Sequence, residues 1–234
     1  MPRHYLCTME KCSNIKVRQL HDFRSLSKKS LNRLVHTSES LFVPKGTVIF
    51  EENQPLNKVY CIKEGACKFS TFDNLGREHI TRFLGKGDIM GKRSLVSNRC
   101  AKVSATALVD SVLCCLDKKE IQKNLKTNPD FCNDLLSAFV DDVDTHDSTR
   151  TIYCAHKSIK QRLAKLILYL AEKFGQEPNG KLLIRIKRED MASVLGTSQE
   201  YVINLLTHFK NKGFLKITRS EIILDSKKGL KNLI

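Results

Sequence analysis

Hydrophobic and polar positions follow two different rhythms along this chain of 234 residues. Residues 26–37, LSKKSLNRLVHT, place Leu31, Leu34 and Val35 at three/four spacing and predict a short amphipathic helix. From Phe42 the rhythm changes to short β-rich runs, which predict strands over 47–50, 58–63, 66–72, 78–84, 101–108 and 111–116. Breaks fall at Pro44/Gly46, Asn53/Pro55, Gly65, Asn74/Gly76 and Gly85/Gly87. Many short strands so punctuated predict a sandwich, barrel or jelly roll.

Helical spacing returns at residues 129–152, where Pro129 suits a first turn and Phe131, Leu135, Leu136, Phe139, Val140 and Val143 recur. Within that set Leu136, Phe139 and Val143 have the three/four spacing of a two-stranded seam. Asp130, Asp134, Asp141, Asp142, Asp144 and Asp147 read as a solvated opposite face. A further helix is expected at 158–173, closed by Gly175 and EPNG, and LLIRI reads as a strand. The segment KREDMASVLGTSQEYVINLLTHFKNKGF then reads as helix, tight turn, helix. Met191, Val194 and Leu195 form one apolar face, Gly196 the turn, and Val202, Leu205, Leu206 and Phe209 the second face. FLKITRSEIIL supplies a two-strand wing. The outer face of the second helix, about 198–211, is mostly polar, with Ile203 the exception. Thr197, Ser198, Gln199, Glu200, Asn204, Thr207 and Lys210 are its DNA-contact candidates.

Charge sharpens this picture. The net charge is +15, and the last 80 residues hold 16 Lys plus Arg against 7 Asp plus Glu. A basic excess concentrated on a helix-turn-helix is the electrostatic footprint of a nucleic-acid binder. There is no apolar run of membrane length and no apolar leader at the N-terminus, so a cytoplasmic protein with no membrane partner is expected. Nine cysteines suit a reducing compartment. No nucleophile elbow, Walker loop, CxxC or HExxH occurs, so no enzyme is expected.

The order of these pieces resembles the Crp/Fnr superfamily of bacterial transcription regulators over residues 20–226. The likeness is carried by VPKG, YCIKEG, DNLGREHITRFLGKGDIMG, the PDF helix start, KQRLAKLILYLAE and REDMASVLGTSQEYVINLLTHFKNKGFL. It implies an α+β fold: an N-terminal jelly-roll-like β-roll, a long dimerisation helix and a C-terminal winged helix-turn-helix. The corresponding bounds are a lead at 1–25, the roll at 26–128, the helix at 129–154 and the DNA-binding domain at 155–234. It also implies a homodimer on a palindromic operator in double-stranded DNA, with RNA polymerase as a further partner.

In the cyclic-nucleotide branch of that family a Gly-Glu pair grips the ribose and an Arg-Ser/Thr pair the phosphate. Here those positions carry Gly91-Lys92 and Ala101-Lys102. An ammonium is donor-only and cannot accept from a ribose hydroxyl, so binding of cyclic AMP is not expected. Gly91, Lys92, Arg93, Lys102 and His146 remain candidates for another effector; the plainer reading is a solvated basic loop. Members resembling Fnr hold an iron–sulfur cluster, for which Cys7, Cys12 and Cys114 are the candidates here. A fourth ligand would have to be Cys115, His4, Glu10 or Asp22, and strand alternation points Cys114 and Cys115 to opposite faces. Small buried cysteines with no cofactor and no metal are the expectation. The alternatives are a redox-sensing regulator of the same fold, or a ligand-binding β-roll whose helical tail binds protein.

Overall fold

A computed structural model of the chain describes residues 10–11, 25–97, 99–153, 157–218 and 221–234. The elements, in order, are β1 (Glu10–Lys11), α1 (Lys28–His36), β2 (Glu39–Val43), β3 (Val48–Phe50), β4 (Lys58–Glu64), β5 (Cys67–Phe72), β6 (Glu78–Leu84), β7 (Ile89–Met90), α2 (Arg93–Val96), β8 (Ser104–Ala107), β9 (Ser111–Asp117), α3 (Lys118–Thr127), α4 (Pro129–Tyr153), α5 (Ile159–Phe174), α6 (Arg188–Leu195), α7 (Gln199–Asn211), β10 (Leu215–Thr218), β11 (Glu221–Leu224) and α8 (Lys227–Lys231). The chain divides into two compact units, Met1–Thr71 with Thr81–Val143, and Phe72–Ile80 with Asp144–Ile234.

The β-roll consists of two sheets, ordered β1-β2-β9-β4-β7 and β3-β8-β5-β6. Alternation along β9 sorts its side chains between two cores. Leu113 joins Phe50, Ile62, Leu84, Met90 and Ala105 in an inner cluster to which both sheets contribute. Cys114 and Leu116 join Val59, Cys61 and Ile89 beneath the helices, against Leu34, Leu95, Ile121, Phe131 and Leu135. Gly65 makes the β4–β5 corner: its φ is +96°, and a Cβ there would lie 2.2 Å from Ser111 Oγ.

In the C-terminal unit, α5 opens on a capping box in which Ser158 and Gln161 satisfy each other's backbone N–H groups. Its buried face, Leu163, Leu166, Ile167 and Leu170, contributes to a core with Met191, Leu195, Val202, Leu206, Phe209, Leu215 and Leu230. β10 and β11 pair antiparallel as the expected wing. LLIRI forms no strand. Leu182, Ile184 and Ile186 are buried alternately with exposed neighbours, yet the segment pairs through isolated bridges, Gln176 to Leu182 and Lys181 to Ile223, rather than through a ladder. Its period of two reflects burial against a core without a ladder partner.

Candidate functional site

The helix-turn-helix is shaped by its two helix ends. Gly196 closes α6 in the left-handed conformation, at φ +61° and ψ +48°, and its N–H returns to the α6 carbonyls. Arg162 on α5 donates to the Leu195 carbonyl at 2.7 Å, holding the same end from outside. Ser198 caps α7, its hydroxyl accepting from the Tyr201 N–H at 3.2 Å. Val202, Leu205, Leu206 and Phe209 are buried, which turns Gln199, Glu200, Ile203, Asn204, Thr207 and Lys210 outward. Ser198 is also exposed and Thr197 half-buried. Glu200 is partly committed: its own backbone N–H, chiefly, and the Ser198 hydroxyl hold its carboxyl below the usual range. The Thr207 hydroxyl donates back to the Ile203 carbonyl at 2.9 Å. Tyr201, 45% exposed, also stands on this surface although the sequence reading passed over it.

On α4 the inward stripe is Phe131, Leu135 and Ala138, all buried. Leu136, Val140 and Val143 form an outward apolar stripe, exposed at 56%, 59% and 58%. Phe139 departs from the expected seam. It is half-buried and packs against the cluster beneath the helices, so Val140 takes the place in the exposed stripe that the sequence reading gave to Phe139. Beside the stripe lies a groove of about 460 Å³, lined in part by Leu95, Val96, Leu125, Leu135 and Phe139.

The roll's candidate pocket residues separate. Gly91 turns the chain at φ +86°, where a Cβ would meet Leu56 Cδ1 at 3.3 Å. Arg93 and Lys102 are exposed, as a basic surface loop would be, and the side chain of His146 lies outside the described residues. Lys92 is different: its side chain is only 11% exposed, and its Nζ lies 2.8 Å from Asp142 Oδ2 on α4. Arg82 on β6, at 14% exposure, donates through Nη2 to Asp142 Oδ1 at 2.9 Å. Burial by itself would push the Asp142 carboxyl up; the Lys92 hydrogen bond and the two cations outweigh it and hold the carboxyl low. Asp142 is therefore not part of a solvated acid face. Nor is Asp134, which accepts from the Ser25 N–H at 2.8 Å. Sequence reasoning missed both Arg82 and the role of Asp142, although the spacing 131, 135, 138, 142 on α4 carried the signal.

Residues 40–128 match the cyclic nucleotide-binding domain family, and residues 161–233 match the Crp-like helix-turn-helix domain family. The chain belongs to the Crp/Fnr superfamily. Members of it are non-enzymatic DNA-binding transcription regulators, and this one is a regulator of that type rather than an enzyme. It is 27% identical over 208 residues to the transcriptional regulatory protein btr of Bordetella pertussis, covering 88% of this chain and 84% of that one. It is 23% identical over 209 residues to the CRP-like cAMP-activated global transcriptional regulator of Mycobacterium tuberculosis, covering 88% and 93%. The structure of FixK2 from Bradyrhizobium japonicum shares the fold, with a TM-score of 0.75 at 21% identity, covering 84% of this chain and 97% of that one.

Of the cluster candidates in this Crp/Fnr member, Cys114 and Cys115 lie among the described side chains. Cys114 is buried, its register partners on the neighbouring strands being Ser40 and Cys61. Cys115 pairs across the sheet with Tyr60, which packs on the inner cluster. Cys7, Cys12, His4 and Asp22 lie outside the described residues, and of Glu10 only the backbone is described. No group of three or more His, Cys, Asp or Glu side chains suited to a metal occurs among those described. No described helix is long and apolar enough to cross a membrane.

Proposed function

We propose that this Crp/Fnr member acts in the cytoplasm as a homodimer on a palindromic operator in double-stranded DNA, regulating transcription through RNA polymerase. Its parts are the roll at 26–128, the dimerisation helix at 129–154 and the DNA-binding domain at 155–234. The helix α7 enters the major groove. The reading is carried by one observation: the outward row Gln199, Glu200, Asn204, Thr207 and Lys210 on a helix whose opposite face is fully committed to the core. Asn204 and Gln199 suit adenine through its N6 and N7, and Glu200 suits the amino group of cytosine. Thr207, its hydroxyl returned to the helix, offers a methyl to thymine. Lys210 suits a phosphate. The stripe Leu136, Val140 and Val143 supports pairing of α4 with a second copy. Cyclic AMP is not the effector: Lys92 stands at the ribose-gripping position and is engaged with Asp142.

Operator selection from a random duplex library, with wild type and Asn204→Arg side by side, tests the reading. The variant is expected to replace adenine by guanine at one position of each half-site, with a discrimination of about 1–3 kcal/mol per base pair. Identical operators from both proteins refute base reading by Asn204.

A further inference from the structure

Arg82 and Lys92 come from separate parts of the roll, one from β6 and one from the residue before α2, and meet on a single carboxylate supplied by α4. Each oxygen of Asp142 takes one cation, Oδ1 from Arg82 at 2.9 Å and Oδ2 from Lys92 at 2.8 Å. The side chains are 14%, 11% and 24% exposed for Arg82, Lys92 and Asp142, so water screens the contact little. The rest of the inward face of α4 is apolar, Phe131, Leu135 and Ala138, and Asp142 stands next in that stripe. An acid at an inward position is costly unless paired, and here the pair is made only if α4 keeps this rotation about its axis. Turning α4 to bring Asp142 to solvent would leave two buried cations without it.

We propose that Asp142 is a built-in ligand of the roll. Its carboxylate fills the anion seat formed by Arg82 and Lys92, and so fixes the phase of α4 with no small molecule bound. Asp142 is thus a positioning residue. It holds Phe139 inward and presents Leu136, Val140 and Val143 outward. Anions act on such a seat as competitors of Asp142, not as completers of it. The buried Arg82 Nε has no hydrogen-bond partner among the described residues, so the seat retains a donor that a competing oxyanion would use. The consequence for dimerisation rests on the homodimer reading given above; the lock itself lies within one chain.

The experiment compares wild type, Asp142→Asn, Lys92→Met and Lys92→Arg in the full-length protein, by amide hydrogen exchange over residues 136–143 and by sedimentation equilibrium. Asp142→Asn and Lys92→Met are expected to speed exchange in that segment by at least about tenfold, while exchange in β4 and β9 stays at the wild-type rate. Lys92→Arg, which keeps the cation, is expected to retain protection. Unchanged exchange in both charge-removing variants overturns the lock, as does loss of protection in β4 and β9 to the same degree, which marks general unfolding. Calorimetry with cyclic AMP or with inorganic phosphate is expected to give no heat of binding with wild type at micromolar protein. Cyclic AMP that binds and slows exchange in α4 overturns the proposal. If wild type sediments as a monomer while binding DNA, the dimer reading fails; the exchange comparison within one chain still decides the lock.

Discussion

Replacing Val140 by Ala is expected to weaken the dimer, whereas replacing Phe139 by Ala is expected to weaken the subunit. Val140 is 59% exposed, so its own chain leaves more than half of it for a partner to cover. Val to Ala removes two carbons, about 1.6 kcal/mol at about 0.8 kcal/mol per buried CH₂. Scaled by the exposed share, this is about 0.9 kcal/mol per subunit and about 1.9 kcal/mol per dimer, because each substitution counts twice. At about 1.4 kcal/mol per decade the dissociation constant rises about twentyfold. Phe139 packs against the core of its own unit. Its truncation costs about 3 kcal/mol there, the low end for a Phe that is only partly buried. For a chain of this size that lowers Tm by roughly 6–12 °C. Sedimentation equilibrium reads the first effect and thermal unfolding the second. A dimer constant unmoved by Val140→Ala, or moved more by Phe139→Ala at unchanged Tm, refutes the assignment of the stripe.

The β5–β6 turn is held by Asp73, which accepts from the Arg77 N–H at 2.9 Å, from Arg77 Nε at 2.7 Å and from the Leu75 N–H at 2.9 Å. These bonds, the Arg77 N–H first, bring its carboxyl down to about 2. A depressed value means stability present above the unfolded carboxyl's value of about 3.9 and lost as pH falls toward 2. A carboxyl NMR titration should bend below pH 3, and a midpoint near 3.9 would remove the capping role. Burial pushes the Cys67 thiol up to about 12, and Cys61, Cys114 and Cys115 are buried too, whereas Cys100 is exposed. Iodoacetamide at pH 8 should therefore label Cys100 before the buried Cys61, Cys67, Cys114 and Cys115, and equal labelling of Cys67 in the folded protein contradicts its burial. Gly65→Ala should lower Tm more than Gly46→Ala: both have positive φ, but a Cβ at Gly46 meets nothing within 4 Å and one at Gly65 strikes Ser111. Equal Tm values would show that the corner yields.

The strands separated by Gly, Pro and Asn were legible in the sequence because turn chemistry is local. β4, β5 and β6 fall within a residue of the spans that the breaks predict. β2 was not legible: its ESLFV lacks clean alternation, and Phe42 stays 49% exposed. The two-residue β7 is too short to show a period. The helix-turn-helix was legible because its apolar stripes and its glycine carry the geometry directly. The exposed apolar stripe on α4 differs by one position from the expected seam, since Phe139 and Val140 are both apolar and only tertiary contact decides which faces inward. Asp142 was lost among six nearby acids, whose shared charge hid the helical phase that separates them.

Of the two ends that fix α6 and α7, Gly196 acts through its backbone and Ser198 through its hydroxyl, and the buried row beneath α7 acts through packing. None of the outward residues Gln199, Asn204 or Lys210 is needed for either. A lineage can therefore exchange these three freely and acquire a new operator while the fold stays still, so the target sites of such regulators should drift apart faster than their cores. Glu200 is the brake on that drift. Its carboxylate is engaged at the helix start as well as being, on the proposed function, a groove contact, so among the proposed reading positions it should be the slowest to change.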